Sequence, residues 1–329
     1  MKFNKFGFLI SYLFMASTMV LFPSLVGAVS PSSILVNISP ENPSPNENVN
    51  ISLNSYSSNL DSVTIRWTVD GKVVLSGTGK KSVSVIAPEA GKETSITATI
   101  SLPDGEIDKR IIIRPAVMVL LWQANDSYVP PFYKGKALPT PDSEIKVVAM
   151  PEIRNGASIV NPKNMVYAWK KDYTNVQDSS GYGKNYFLFS SDYLEDSTNI
   201  WATASTTDQK YTSSKNIDIR TTTPKILFYK NDYNLGTLWE QALSYGHQIF
   251  GEEVIEASPY FISPKEIRTP ILTWDWSIND IFVNNSEIRK NVLPLRAQSG
   301  SSGTSKIKLE INNNYKIFET ATGEINVTF

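Results

Sequence analysis

The sequence predicts an all-β fold made of three tandem β-sandwich domains, and three observations carry that prediction. Short runs rich in Val, Ile and Thr recur along the chain, separated by Gly, Pro, Asn and Asp turns. Trp67, Trp169 and Trp276 each stand in the middle of such a run, 102 and 107 residues apart. Further landmarks keep step with the tryptophans, so the chain repeats itself with a domain-sized period.

The chain's 329 residues leave room for three such domains behind a leader. Lys2 and Lys5 precede the apolar run FGFLISYLFMASTMVLF, which Pro23 interrupts, and Val26-Gly27-Ala28 supplies small residues for a signal peptidase. Residues 1–28 are therefore expected to be a signal peptide cleaved after Ala28. The run is long enough that an uncleaved N-terminal membrane anchor stands as the alternative. Either way the domains are exported, to the cell surface, the cell envelope or the extracellular space. The chain has no Cys. No disulfide can staple it, and each domain must be held by burial alone.

The first domain is expected at 29–115. NVNISL, VTIRWTV, KSVSVIA, TSITATI and KRIIIRP read as strands, with Asp70-Gly71 as a hairpin turn. In VTIRWTV the residues Val63, Ile65, Trp67 and Val69 share one face, so the indole points inward with the aliphatics. A buried Trp on the third strand, against a strand that arrives later, is the pattern of an immunoglobulin-like sandwich. The later strands carry Ile96, Ala98 and Ile100 in the first domain, Ile200, Ala202 and Ala204 in the second, and Ile307, Leu309 and Ile311 in the third.

The second and third domains follow at 116–222 and 223–329, with short joints at Arg114-Pro115 and Thr223-Pro224. Neither joint has a flexible Gly/Ser run, so successive domains are expected to be closely coupled as a rod. Gly77-Thr-Gly-Lys80 and Gly181-Tyr-Gly-Lys184 occupy the same relative place before the strands KSVSV and NYFLF. The third domain departs from the β pattern once. Leu235, Leu238, Trp239, Ala242 and Leu243 have helical spacing, Thr237 with Glu240 resembles a capping box, and Gly246 can end a helix. A short helical insert is expected there.

These features resemble bacterial Ig-like and PKD-type modules that occur in tandem on exported proteins. LTWDWSIND is similar to the Trp-Asp-aromatic stretch of PKD domains, although Ser277-Ile278-Asn279-Asp280 replaces the glycine-and-aspartate turn. With PENPSPNENV early and VPPFYKGKAL later, the arrangement is similar, over nearly the entire mature chain, to exported proteins of candidate-phyla bacteria. The resemblance implies the fold and the location and brings no catalytic residue with it.

Composition and motifs leave little room for chemistry. The 31 basic and 32 acidic residues give no basic footprint for nucleic acid. His247 is the single His, so a Ser-His-Asp triad would have to be built around it. With no Gly-x-Ser-x-Gly elbow it reads as a surface or loop histidine, and one His without Cys cannot supply the usual zinc ligands. The Gly-x-Gly stretches precede strands and read as hairpin turns. Asp104, Glu106 and Asp108, with the run Asp192 to Asp196, offer oxygens for calcium but read as solvated hairpin tips. No enzyme, cofactor or metal site is expected.

Two functional classes remain: a structural or interaction protein binding an envelope or appendage protein, and a carbohydrate-binding adhesin. In both, aromatics outside the alternating strands are the candidate contacts: Tyr128, Phe132 and Tyr133 in one insert, Trp239 and Tyr245 in the other. The alternative for all five is packing of each insert onto its own domain, and Trp239 is the weakest candidate because helical spacing turns it inward.

Overall fold

The computed structural model describes residues 33–155, 158–298, 300–316 and 318–329; the expected leader at 1–28 lies outside them. Among the described residues the fold is all-β, with a 3-10 turn at Pro162–Asn164 and no α-helix. No helix among them is long and apolar enough to cross a membrane.

Each of the three repeats folds into two facing sheets. In the first sandwich Ile34–Ser39, Asn48–Ser55 and Ser82–Ile86 form the smaller sheet, and Lys72–Thr78, Thr64–Val69, Thr94–Leu102 and Gly105–Ile113 form the larger one, in those spatial orders. The second repeats the scheme. Val117–Ala124, Glu144–Glu152 and Tyr186–Ser190 make the smaller sheet; Met165–Lys171, Ser197–Thr206 and Thr212–Arg220 are the long strands of the larger. In the third, Lys225–Asp232, Glu252–Tyr260 and Val292–Arg296 lie opposite a sheet built on Leu272–Ile278, Thr304–Asn313 and Thr320–Thr328. Two compact units emerge, one formed mainly by the first sandwich and one holding Arg114–Phe329.

The tryptophans do what the alternation predicts. Trp67, Trp169 and Trp276 are fully buried, facing Ala98, Ala202 and Leu309 across the strand pair. Each indole N–H also finds an acceptor, as a buried indole must. Trp67 Nε1 donates to the Lys80 carbonyl at 2.7 Å, Trp169 Nε1 to the Lys184 carbonyl at 2.9 Å, and Trp276 Nε1 to the Lys290 carbonyl at 2.8 Å. This explains the Gly-x-Gly-Lys landmarks: they are turns that aim a carbonyl at the indole. Gly79 and Gly183 have φ of +68° and +71°, and a Cβ on Gly79 would stand 3.0 Å from the Asp61 carbonyl oxygen. Only glycine suits that turn.

A second device repeats three residues after each Trp. Asp70-Gly71, Asp172-Tyr173 and Asn279-Asp280 are two-residue hairpin turns with positive φ at both positions, the geometry that matches strand twist. The first residue of each turn also ties the hairpin to the next long strand. Asp70, Asp172 and Asn279 side chains accept from the backbone N–H of Ser95, Asn199 and Lys306, and their own N–H groups donate back to the carbonyls of the same three residues. The Asn279-Asp280 variant is thus the same turn in different letters.

The helical insert is corrected. Gly236–Thr237 pairs as a short strand with Asn231 and Asp232, and the Leu238 and Leu243 N–H groups donate to the carbonyls of Lys230 and Phe228. Those carbonyls belong to an edge strand that would otherwise lack donors. Edge pairing therefore outcompetes local helical spacing, and Leu235 is left exposed.

Candidate interaction face

The smaller sheet has the same three long strands in all three sandwiches, with Gly236–Thr237 added at the edge of the third, and its outer face is treated in three different ways. In the first, the outward residues are Asn48, Asn50, Ser52 and Asn54 on the central strand, flanked by Leu35, Asn37 and Ser39 on one side and Ser82, Ser84 and Ile86 on the other. This is a mainly polar surface with Leu35 and Ile86 exposed at its corners. In the third, the outward Tyr229 and Glu256 lie under the insert. Trp239 packs on the Tyr229 ring at 5.1 Å, and the buried Glu256 carboxylate accepts from Asn231, Thr237, Asn291 and Arg289. In the second sandwich the face is apolar and bare.

There Val119 and Leu121 stand beside Met150 and Val148, and Tyr186 and Leu188 complete the patch on the third strand. Five of these six side chains are 43–53% exposed, and Val148 is half-buried between them. The opposite faces of the same strands supply Met118, Ile145, Val147, Ala149 and Phe187 to the core. The strands are thus apolar on both sides. Together the exposed side chains present on the order of 400–500 Å² of mostly apolar surface, at the size where a monomer's largest patch is often functional.

No family model matches the chain, and no curated protein matches its sequence. Solved structures similar to it are arrays of β-sandwich modules. The fibronectin(III)-like modules of Clostridium thermocellum CbhA are 14% identical, with 57% of this chain and 94% of that one covered and a TM-score of 0.28. Three N-terminal domains of the bacteriophage RB49 highly immunogenic outer capsid protein are 10% identical over 90% of this chain and 97% of that one, with a TM-score of 0.25. The central fibronectin-III array of RIM-binding protein is 11% identical over 90% and 95%, with a TM-score of 0.31. At such scores the fold rests on the strand registers described above.

The five loop aromatics have separate fates. Tyr128 packs against the core of the third sandwich, and its N–H and carbonyl pair with Ile262 and Phe261 at 2.8 and 2.6 Å. Burial raises the pKa of its phenol. Tyr133 meets the Tyr260 and Phe261 rings edge-on at 5.7 and 5.9 Å. The Tyr260 hydroxyl shares a hydrogen bond with Tyr229, and burial, then that bond, raises its pKa. Tyr128 and Tyr133 thus belong to a junction between the second and third sandwiches. Trp239 belongs to the cover over Tyr229. Phe132 and Tyr245 are exposed, and the Tyr245 hydroxyl accepts from Asn326 at 2.5 Å.

The junction has a polar centre. Buried Glu319 accepts from the Thr140 hydroxyl at 2.5 Å, the Ser263 N–H at 2.8 Å and the Asn313 amide at 2.8 Å. Burial raises its pKa despite these donors. Lys316 Nζ donates to Asp126 at 2.6 Å and to the Asp142 carbonyl at 2.7 Å. The donors and acceptors are matched, which makes this a structural seam.

Other candidate chemistry is absorbed by local bonds. His247 Nε2 lies 2.6 Å from Glu253, which also pairs with Lys230. Asp108 and Glu106 accept from Thr99 and Ser101 across their hairpin, and the Asp192 side chain accepts from the Leu194 N–H. Among the described residues no three His, Asp or Glu side chains converge as metal ligands.

Proposed function

We propose that the chain is an exported, non-enzymatic structural and interaction protein, and that it engages another protein through the outer face of the second sandwich's smaller sheet. One observation carries this reading. The corresponding face is mainly polar in the first sandwich, with Leu35 and Ile86 exposed only at its corners, and covered in the third, while the second leaves Val119, Leu121, Met150, Tyr186 and Leu188 together in solvent. A sheet face of that kind is a contact surface or an aggregation hazard. A carbohydrate adhesin is the second reading, and Phe132 and Tyr245 favour it as exposed rings. The patch itself favours a protein, since five of its six side chains are aliphatic and only Tyr186 offers a ring to a sugar.

The test is the double substitution Leu121→Asp with Met150→Asp. Both side chains point outward, so the melting temperature should stay within a few degrees, while capture of the chain by its native envelope or appendage fraction is lost. Undiminished capture by a folded variant would remove the face from consideration, and loss of binding to a glycan array instead would favour the adhesin.

A further inference from the structure

We infer that the protein seated on this face is a second copy of the same chain, packed sheet to sheet about a twofold axis that crosses the Glu144–Glu152 strand at the level of Ala149. The inference rests on the face being a protein contact, and the strand's register selects the partner. Its outward residues in order are Glu144, Lys146, Val148, Met150 and Glu152, with Val119 beside Met150 and Leu121 beside Val148. Reversing this column about Ala149 sets Val148 against the second copy's Met150, and Val119 against the second copy's Leu121. It also sets Lys146 against the second copy's Glu152. Twofold symmetry makes every such contact twice. Apolar meets apolar at the centre of the two paired strands and cation meets anion at the ends of the central one, while Gln123 meets the second copy's Val117. A pivot one residue away, at Val148, would instead bring Glu144 against the second copy's Glu152, so the charges fix the register.

The monomer leaves the charges ready for this. Among the described residues Lys146 forms no ion pair, and its Nζ rests over the Tyr186 ring at 4.9 Å. Glu152 is exposed; among the described residues Arg154 Nε and Nη2 both donate to its Oε1, leaving Oε2 for a second cation. Stacked sheets about 10 Å apart, within about 30° of alignment, keep these pairs within reach of one another. The closure is isologous for a further reason. The outward residues of the larger sheets are mainly polar, as in Thr64, Arg66 and Thr68 of the first sandwich or Lys306, Lys308 and Glu310 of the third. Among the described residues no second sheet face repeats the apolar rows, so a head-to-tail contact between copies would lack a complement. The patch is smaller than the roughly 800 Å² per partner of a standard interface, so a weak, reversible dimer is expected.

Sedimentation velocity of the purified full chain across the micromolar range tests this. The wild type should pass from monomer to dimer, with no larger species. Lys146→Glu or Glu152→Lys alone should weaken dimerisation by about tenfold or more, and the two reversals together should restore it. A wild type that stays monomeric throughout overturns the second copy as occupant, as does a dimer indifferent to all three variants. A photo-crosslinker at Leu121, introduced into the producing cell, separates that failure from failure of the face. A monomeric chain whose Leu121 adduct is a different protein keeps the face and replaces the partner. A monomeric chain with no adduct removes both.

Discussion

Tyr173 sits where the first sandwich has Gly71, at the second position of the hairpin turn, with φ of +67° and 87% of its surface exposed. A side chain in the left-handed region costs about 1–2 kcal/mol, and this one has little packing to offset it. Tyr173→Gly should therefore stabilise the second sandwich by about 1 kcal/mol in urea unfolding; a loss of stability would mean that the ring has a contact of its own. Glu319 gives the opposite kind of residue effect. Its folded pKa is raised by burial above the unfolded value, so the folded state binds the extra proton. Stability is then fullest below the unfolded pKa, near 4.5, and falls as pH rises through the folded one. Glu319→Gln should remove that slope, whatever its effect on absolute stability. An unchanged slope in pH-dependent melts would place the titration elsewhere. The inward tryptophans are legible in the alternation around them. Their carbonyl partners are not, because Lys80, Lys184 and Lys290 are named only by the turn that folds back. Glu319 was equally hidden, since nothing local distinguishes it from a solvated acid.

At the scale of elements, VMVLLW and YFLF carry apolar residues at consecutive positions, where NVNISL and SVSV alternate. Loss of the two-residue period is a readable sign of a strand apolar on both faces. It points to the second sandwich's bare face more directly than aromatic residues in loops do. The insert after Asn234 was illegible for the converse reason. Its helical spacing is genuine, but the Lys225–Asp232 edge supplies acceptors that only the folded sheet can reveal. Beneath that insert, Glu256 gathers Asn231, Thr237, Asn291 and Arg289. Glu256→Ala strands these donors and should cost the third sandwich about 2–3 kcal/mol. The urea midpoint should fall with an unchanged m-value. No change would show that the cover is held by Trp239 and Tyr229 alone.

For the molecule as a whole, the account ranks three versions of one face: polar, bare and covered. The repeat makes that comparison possible, since each sandwich serves as a control for the others. The most direct measurement is a photo-crosslinking residue placed in turn at Leu121 in the second sandwich and at Asn50 in the first, in the cell that makes the protein. Both positions lie on the outer face of the smaller sheet and point to solvent. The account predicts a discrete protein adduct from Leu121 and none from Asn50. Equal adducts from both positions, or none from Leu121 with the chain at its native level, would contradict it.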